Sequence, residues 1–238
     1  MPRSKRIESN AFPYHVSART NNRVDFPLPL DLAWRVFCDS CTAMAWFFDA
    51  RVHAFVLMPN HFHLIVTTPV HPMGDVMEFF MRESARELNR KSGRKGHIFG
   101  GPYDAPLINS EHYFVHAMKY VYRNPIAAGI CDLVEDYPFS TLSGRTGATQ
   151  LQIPLGFSPF RSVSMGCIET VPIEYLEWLN QGYSSKQIAA LKFGLRQRGF
   201  FTLPKDPKTR RPVSLATTAF RQGLPIVFDA PLLRKGTA

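Results

Sequence analysis

The stretch Ala54-Phe55-Val56-Leu57-Met58-Pro59-Asn60-His61-Phe62-His63-Leu64-Ile65-Val66-Thr67 most constrains the fold, because it reads as two apolar strands meeting at a Pro-Asn corner. Side chains alternate along a strand, so His61 and His63 share one face while Phe62 and Leu64 share the other. Two imidazoles side by side on a rigid sheet can hold one divalent cation, although hydrogen-bonded structural histidines would read the same way. A pair is an incomplete site. A cation that does chemistry needs further protein ligands and open positions for water or substrate.

The flanking pattern places further strands and helices around this hairpin. Phe12 to Arg19 reads as a first strand and Thr20 to Pro29 as a loop, and Asp31 is placed to cap a helix running to about Phe48. That helix has Leu32, Val36 and Phe47 among its apolar positions. After Arg51 to Met58 and His61 to Thr68, prolines break the pattern and a second helix runs from about Met73 to Arg90, with Val76, Phe79, Phe80 and Leu88 in its apolar stripe. Arg82, Arg86 and Arg90 repeat every four residues and continue into Lys91, Arg94, Lys95 and His97. Such a row is usually a solvated face; the glycines 93, 96, 100 and 101 near Phe99 make a phosphate-tracking loop the alternative. Ala105 to Ile108 can form a short strand, and Ser110 can cap a helix from Glu111 to Tyr122 that Pro125 stops. Two more helices, Pro172 to Leu179 and Ser184 to Arg196, are joined at Gly182.

Charge is distributed unevenly. Residues 1–185 hold 17 Lys+Arg against 17 Asp+Glu, and residues 186–238 hold 11 against 2, so the whole excess of +9 lies in the tail. A basic tail on a neutral body points to a polyanion, most simply nucleic acid, with Lys186 to Arg211 adding affinity for its backbone. No apolar run approaches the ~18 residues of a membrane span, and Met1-Pro2-Arg3-Ser4-Lys5-Arg6 leads into polar residues, so a cytoplasmic location is expected. Cys38 and Cys41 form a C-x-x-C on a helical pattern with no second such pair, which favours reduced, partly buried thiols over zinc or redox chemistry.

Along the helix from Glu111, His112, His116, Tyr120 and Asn124 lie on successive turns of one face. If that face looks onto His61 and His63, a phenol and an amide oxygen arrive together beside the cation. A phenol is a poor nucleophile at neutral pH, with a pKa of about 10, but is easier to deprotonate next to a cation. His112 and His116 could bind metal themselves, yet no glutamate lies between them as in a zincin. Tyr122 is about 200° round the helix from Tyr120, whereas Tyr113 is roughly in line with it and is the alternative nucleophile.

Met58-Pro59-Asn60-His61-Phe62-His63, followed by Tyr120-Val121-Tyr122-Arg123-Asn124-Pro125-Ile126-Ala127-Ala128-Gly129, resembles the HUH-type single-strand transposases with one catalytic tyrosine, and among them the REP-associated tyrosine transposase branch. Tyr14-His15-Val16 with Arg19, Met81-Arg82 with Leu88-Asn89-Arg90, Gly96-His97-Ile98-Phe99 and Asp136-Tyr137-Pro138-Phe139-Ser140 agree in order and spacing over about Phe12 to Leu142. The resemblance implies an α+β domain, a ferredoxin-like antiparallel sheet with helices packed on it, in residues 1–150, followed by a helical and basic extension, 151–238. It implies Mg²⁺ or Mn²⁺ on His61, His63 and, as an amide-type third ligand, Asn124. Tyr120 would attack single-stranded or hairpin DNA to give a 5′-phosphotyrosine and a free 3′-hydroxyl, in a monomer or a homodimer. Arg19, Arg82, Arg86, Arg90, Lys91, Arg94 and Lys95 are the candidate DNA contacts. Two departures from the family pattern, Pro102 and the pair Ala127-Ala128, remove possible phosphate contacts.

Overall fold

The hairpin of β2 (Arg51–Met58) and β3 (His61–Thr67) forms the middle and one edge of the sheet in a computed structural model that describes residues 7–160, 171–195, 203–205 and 212–213. β1 (Tyr14–Arg19) pairs antiparallel with the other side of β3, giving the order β1-β3-β2. A fourth, broken strand lies outside β1. Asp104 bridges Ser17 and Leu107 bridges Tyr14, while His15 N–H donates to the Pro106 carbonyl at 3.0 Å. The expected strand over Ala105 to Ile108 is therefore present only as bridges, because Pro106 has no N–H to give the ladder. With it the chain follows the β-α-β-β-α-β pattern of a ferredoxin-like sheet. The other edge is covered too, since Leu57 N–H donates to the Phe139 carbonyl and Gly156 N–H to the Val52 carbonyl.

Alternation sends the apolar strand residues to two separate cores. Val16, Phe62, Leu64, Phe55 and Leu57 meet α1 (Leu30–Phe48) and α2 (Met73–Ser92) through Phe37, Met44, Val76 and Phe80. Each such fully buried side chain contributes about 1.5–3 kcal/mol. Two details of α1 differ from expectation: Pro29, not Asp31, takes the position before the helix, and Leu32 and Phe47 face solvent at 38% and 71% exposure. A proline with a fixed φ starts the helix without a side-chain cap, which leaves Asp31 in the first turn, where its charge opposes the helix dipole. Cys38 and Cys41 are free and buried on the inner face of α1; burial, with Asp39 nearby, pushes the Cys38 thiol up to about 12, so neither redox nor metal chemistry is favoured there.

The opposite face is covered by α3 (Glu111–Tyr122), started as expected by Ser110, whose hydroxyl accepts from Tyr113 N–H at 3.3 Å. Pro125 does not end the helical path outright. The ladder breaks at Arg123 and restarts as α4 (Asn124–Ala127), with Pro125 in a first turn where its missing N–H costs nothing. After α5 (Thr141–Arg145) come α6 (Ile173–Asn180) and α7 (Ser185–Gly194), the latter opened by a capping box of Ser184 and Gln187. Tyr175, Leu179, Leu191 and Leu195 share one core with Phe114, Met118 and Val121 of α3, so this core runs across residue 150. β4 (Leu203–Lys205) pairs with β5 (Pro212–Val213), and the basic run Lys208-Thr209-Arg210-Arg211 lies outside the described residues. Among the described residues no helix is long and apolar enough to cross a membrane.

Candidate active site

Strand register sets the polar floor of the site. Arg19 lies opposite His61, Ser17 opposite His63 and His15 opposite Ile65, so β1 and β3 present His15, Arg19, His61 and His63 on the face that α3 covers. The His61 and His63 rings are 5.1 Å apart between centroids, nearly perpendicular at 84°. From α3 the Tyr120 ring stands edge-on to two imidazoles, 5.8 Å from His63 and 6.0 Å from His15. Asn124, one turn later, donates from Nδ2 to the Tyr120 carbonyl at 2.8 Å and lies beside the His63 ring. With Nδ2 engaged, its Oδ1 is the atom turned to the imidazole. Tyr120, His61, His63, Asn124 and Arg19 thus line one cavity of about 1090 Å³.

The other tyrosines of α3 are placed differently. Tyr113 is 3% and Tyr122 1% exposed in the core, and the Tyr122 hydroxyl is 3.1 Å from Thr141 Oγ1. Neither lines the cavity. His116 is buried with Nδ1 2.7 Å from the Tyr183 hydroxyl, while the side chain of His112 lies outside the described residues.

His15, His61 and His63 are held in the neutral form. Burial first, then the Arg19 charge, lowers His61 to about 4; burial first, then His15, His61 and Arg19, drives His63 well below its ordinary value. Burial alone takes His15 to about 3. Neutral imidazoles offer lone pairs to a cation at physiological pH. Hydrogen bonds also select which lone pair is offered. His61 Nδ1 is 2.8 Å from Asn60 Oδ1, an acceptor, and Asn60 Nδ2 in turn donates to the Arg23 carbonyl at 3.0 Å. His61 therefore keeps Nε2 open.

Among the described residues no trio of His, Cys, Asp or Glu side chains is placed to hold a cation. A donor set of His61, His63 and the Asn124 oxygen is two nitrogens and one neutral oxygen, and it fits a divalent ion that accepts imidazole and leaves positions open. The cavity is also lined by Arg23, Tyr183 and Lys192, and by Pro102, Ala127 and Ala128. Asn22 and Arg23, in the turn that forms this rim, have left-handed φ of 55° and 58°.

Behind Tyr120, α3 is fastened to α6. Lys119 Nζ reaches the Trp178 carbonyl and lies 4.3 Å over the Trp178 ring, and Arg123 Nη1 donates to the Leu179 and Asn180 carbonyls at 2.8 and 2.6 Å. Burial, with Arg123 nearby, lowers Lys119 to about 7. The arginine row of α2 lies outside the cavity, as do Lys91, Arg94 and Lys95. Arg82 pairs with Glu78 and Glu83, Arg86 with Glu83, and Arg90 with Glu87, all on the same helix. Apart from the adjacent Arg82–Glu83 pair, these partners stand three or four residues apart in the sequence, and that spacing is the signal that the row is partly neutralised. Sequence spacing carries no signal for His15 as a site residue, since only the pairing of β1 with β3 brings it to His63.

No protein-family model matches the chain. It is 30% identical over 91 residues to the REP-associated tyrosine transposase of Escherichia coli (strain K12); the match covers 38% of this chain and 53% of that protein, so the chain spans about half the length of the curated relative. The fold superposes with a TM-score of 0.52 on a REP-associated tyrosine transposase solved bound to a REP hairpin, at 22% identity, over 63% of this chain and 88% of that one. Over those 91 residues the chain is similar in sequence to a REP-associated tyrosine transposase, and its α+β fold is similar to that of the hairpin-bound protein.

Proposed function

We propose that the chain is a metal-dependent DNA strand transferase that cuts and rejoins hairpin-containing single strands through a tyrosine, working in the cytoplasm. The observation that carries this reading is the Tyr120 ring standing edge-on to His63 inside the cavity that His61 and Asn124 also line. A divalent cation on these three residues would polarise a phosphodiester oxygen and make a neighbouring phenol easier to ionise. The Tyr120 oxygen attacks phosphorus, the bond to the 3′ oxygen breaks, and that oxygen leaves with a proton as a 3′-hydroxyl. The 5′ side remains on Tyr120 as a phosphodiester. A 3′-hydroxyl attacking the same phosphorus regenerates the phenol, so strands are rejoined with no external energy. Tyr120 and the histidines belong to one chain and are already adjacent, which supports cutting in cis.

Arg19, Arg23 and Lys192 line the cavity and suit the backbone of a single strand. The row from Arg82 to Lys95, on α2 and the loop after it, is proposed to meet the hairpin stem outside the cavity, with Arg82, Arg86 and Arg90 each exchanging a glutamate for a phosphate. If Arg19 and Lys192 each neutralise one phosphate, the Arg19→Ala/Lys192→Ala variant should flatten the plot of log affinity against log salt by roughly 1.4 for single strands. An unchanged slope would place the strand elsewhere.

The reading is tested by incubating the protein with Mg²⁺ or Mn²⁺ and single strands carrying imperfect palindromes, then looking for a covalent adduct in denaturing gels. With two imidazoles and no carboxylate, adduct formation should saturate at about tenfold lower Mn²⁺ than Mg²⁺ and vanish with chelator. Equal activity in chelator would rule out the cation. One observation favours a second reading: Pro102, Ala127 and Ala128 line the cavity where basic side chains could grip phosphate. Tight hairpin binding with no adduct for any palindrome would make the chain a non-cleaving hairpin binder.

A further inference from the structure

The proposed strand transfer leaves one buried group in the cavity without a task. His15 is 3% exposed, and its ring stacks on His63 at 5.1 Å with only 9° between planes. Its Nε2 lies 3.0 Å from His63 Nδ1. In register it is the diagonal neighbour of His63 across the β1–β3 ladder, a separation that aromatic side chains span.

A neutral imidazole carries one proton. For His63 to offer Nε2 to a cation, that proton must sit on Nδ1, and a buried Nδ1–H needs an acceptor. The contact the structure gives to His63 Nδ1 is His15 Nε2. Asn124 lies beside the same ring, and Nε2 is the nitrogen left to face it, so a cation held there would meet the Asn124 oxygen and the Nε2 lone pair together. Asn60 does the same for His61 by accepting at Nδ1. The remaining nitrogen of His15, Nδ1, is buried with no hydrogen-bond partner among the described residues. That is where its own proton must lie if Nε2 is committed as an acceptor.

We infer that His15 is a positioning residue: it accepts the Nδ1–H of His63 and so keeps the Nε2 lone pair of His63 turned to the cation. The inference rests on reading His61, His63 and Asn124 as a cation site. The matching roles of Asn60 and His15 give each ligand an acceptor behind it. His15 itself is neither ligand nor nucleophile.

Two variants and one spectrum test it. His15→Phe keeps the stacked ring and loses the acceptor, while His15→Gln keeps an acceptor of similar reach. Calorimetric titration with Mn²⁺ should show the dissociation constant raised by roughly 10- to 100-fold in His15→Phe and largely recovered in His15→Gln. In the ¹⁵N-labelled native protein loaded with Mg²⁺, His63 should carry its proton on Nδ1, with a scalar coupling across the hydrogen bond to His15 Nε2. Native Mn²⁺ affinity in a folded His15→Phe, or a proton on His63 Nε2 in the Mg²⁺-loaded protein, overturns the inference and leaves the cation site intact. No uptake of either ion by the native protein removes the cation site, and the role of His15 with it. If His15→Phe does not fold, the spectrum of the native protein decides alone.

Discussion

Tyr120→Phe is expected to abolish the covalent DNA adduct, a loss of at least roughly 10³-fold, while binding of the same hairpin changes less than about twofold. The substitution removes one oxygen and keeps the ring that meets His15 and His63 edge-on, so the floor of the site is not disturbed. Tyr122→Phe provides the contrast. It deletes a buried hydroxyl bonded to Thr141 and should cost about 1 kcal/mol of stability, yet leave the adduct in place. Tyr113→Phe should also keep it, because Tyr113 is packed in the core away from the cavity. A native yield of adduct from Tyr120→Phe would assign the nucleophile to another residue.

Acid should unfold this protein earlier than its carboxylates alone would cause. Burial lowers His15 to about 3 and His53 to about 4, and holds His63 well below its ordinary value near 6.5. Between pH 6.5 and about 4 the unfolded chain binds protons that the folded chain refuses. Stability is therefore complete above about pH 6.5 and falls as pH drops toward 4, by about 1.4 kcal/mol per unit for each histidine. Two or three such groups remove several kcal/mol by pH 5, against a typical total of roughly 5–15 kcal/mol. Urea unfolding at pH 7.5, 6, 5 and 4.5 measures the slope. His53→Gln should reduce it by one proton, since His53 bonds Thr67 outside the site. A midpoint that stays flat from pH 7 to 5 would show that these rings protonate in place.

Local signals carried most of the fold. The Pro59-Asn60 corner, the Ser110 cap and the period of the apolar positions gave β2, β3 and α3 within a residue or two, because each depends on neighbours in sequence. Where two signals competed, the sequence was less decisive. Asp31 looked like a cap, but Pro29 sits one residue before Leu30 and its fixed φ begins the helix instead. Pro106 reduced a plausible strand to bridges. The approach of Tyr120 to His63 could be anticipated from helix and strand periods together with the family likeness. The part played by His15 could not, since it depends on how two strands 48 residues apart slide into register. Lys119 and Arg123 were equally hidden, because their partners are carbonyls of α6, and backbone acceptors carry no residue signature.

The bolting of α3 to the segment behind it has a kinetic meaning. On the proposed chemistry, a helix held by lysine and arginine to fixed carbonyls keeps the captured 5′ end stationary. Rejoining then requires the nucleic acid to travel, with one 3′ end departing and another arriving over the same immobile phosphorus. Turnover would be governed by how fast the DNA rearranges on the protein, and loosening the bolt at Arg123 would scatter the captured end without quickening its release.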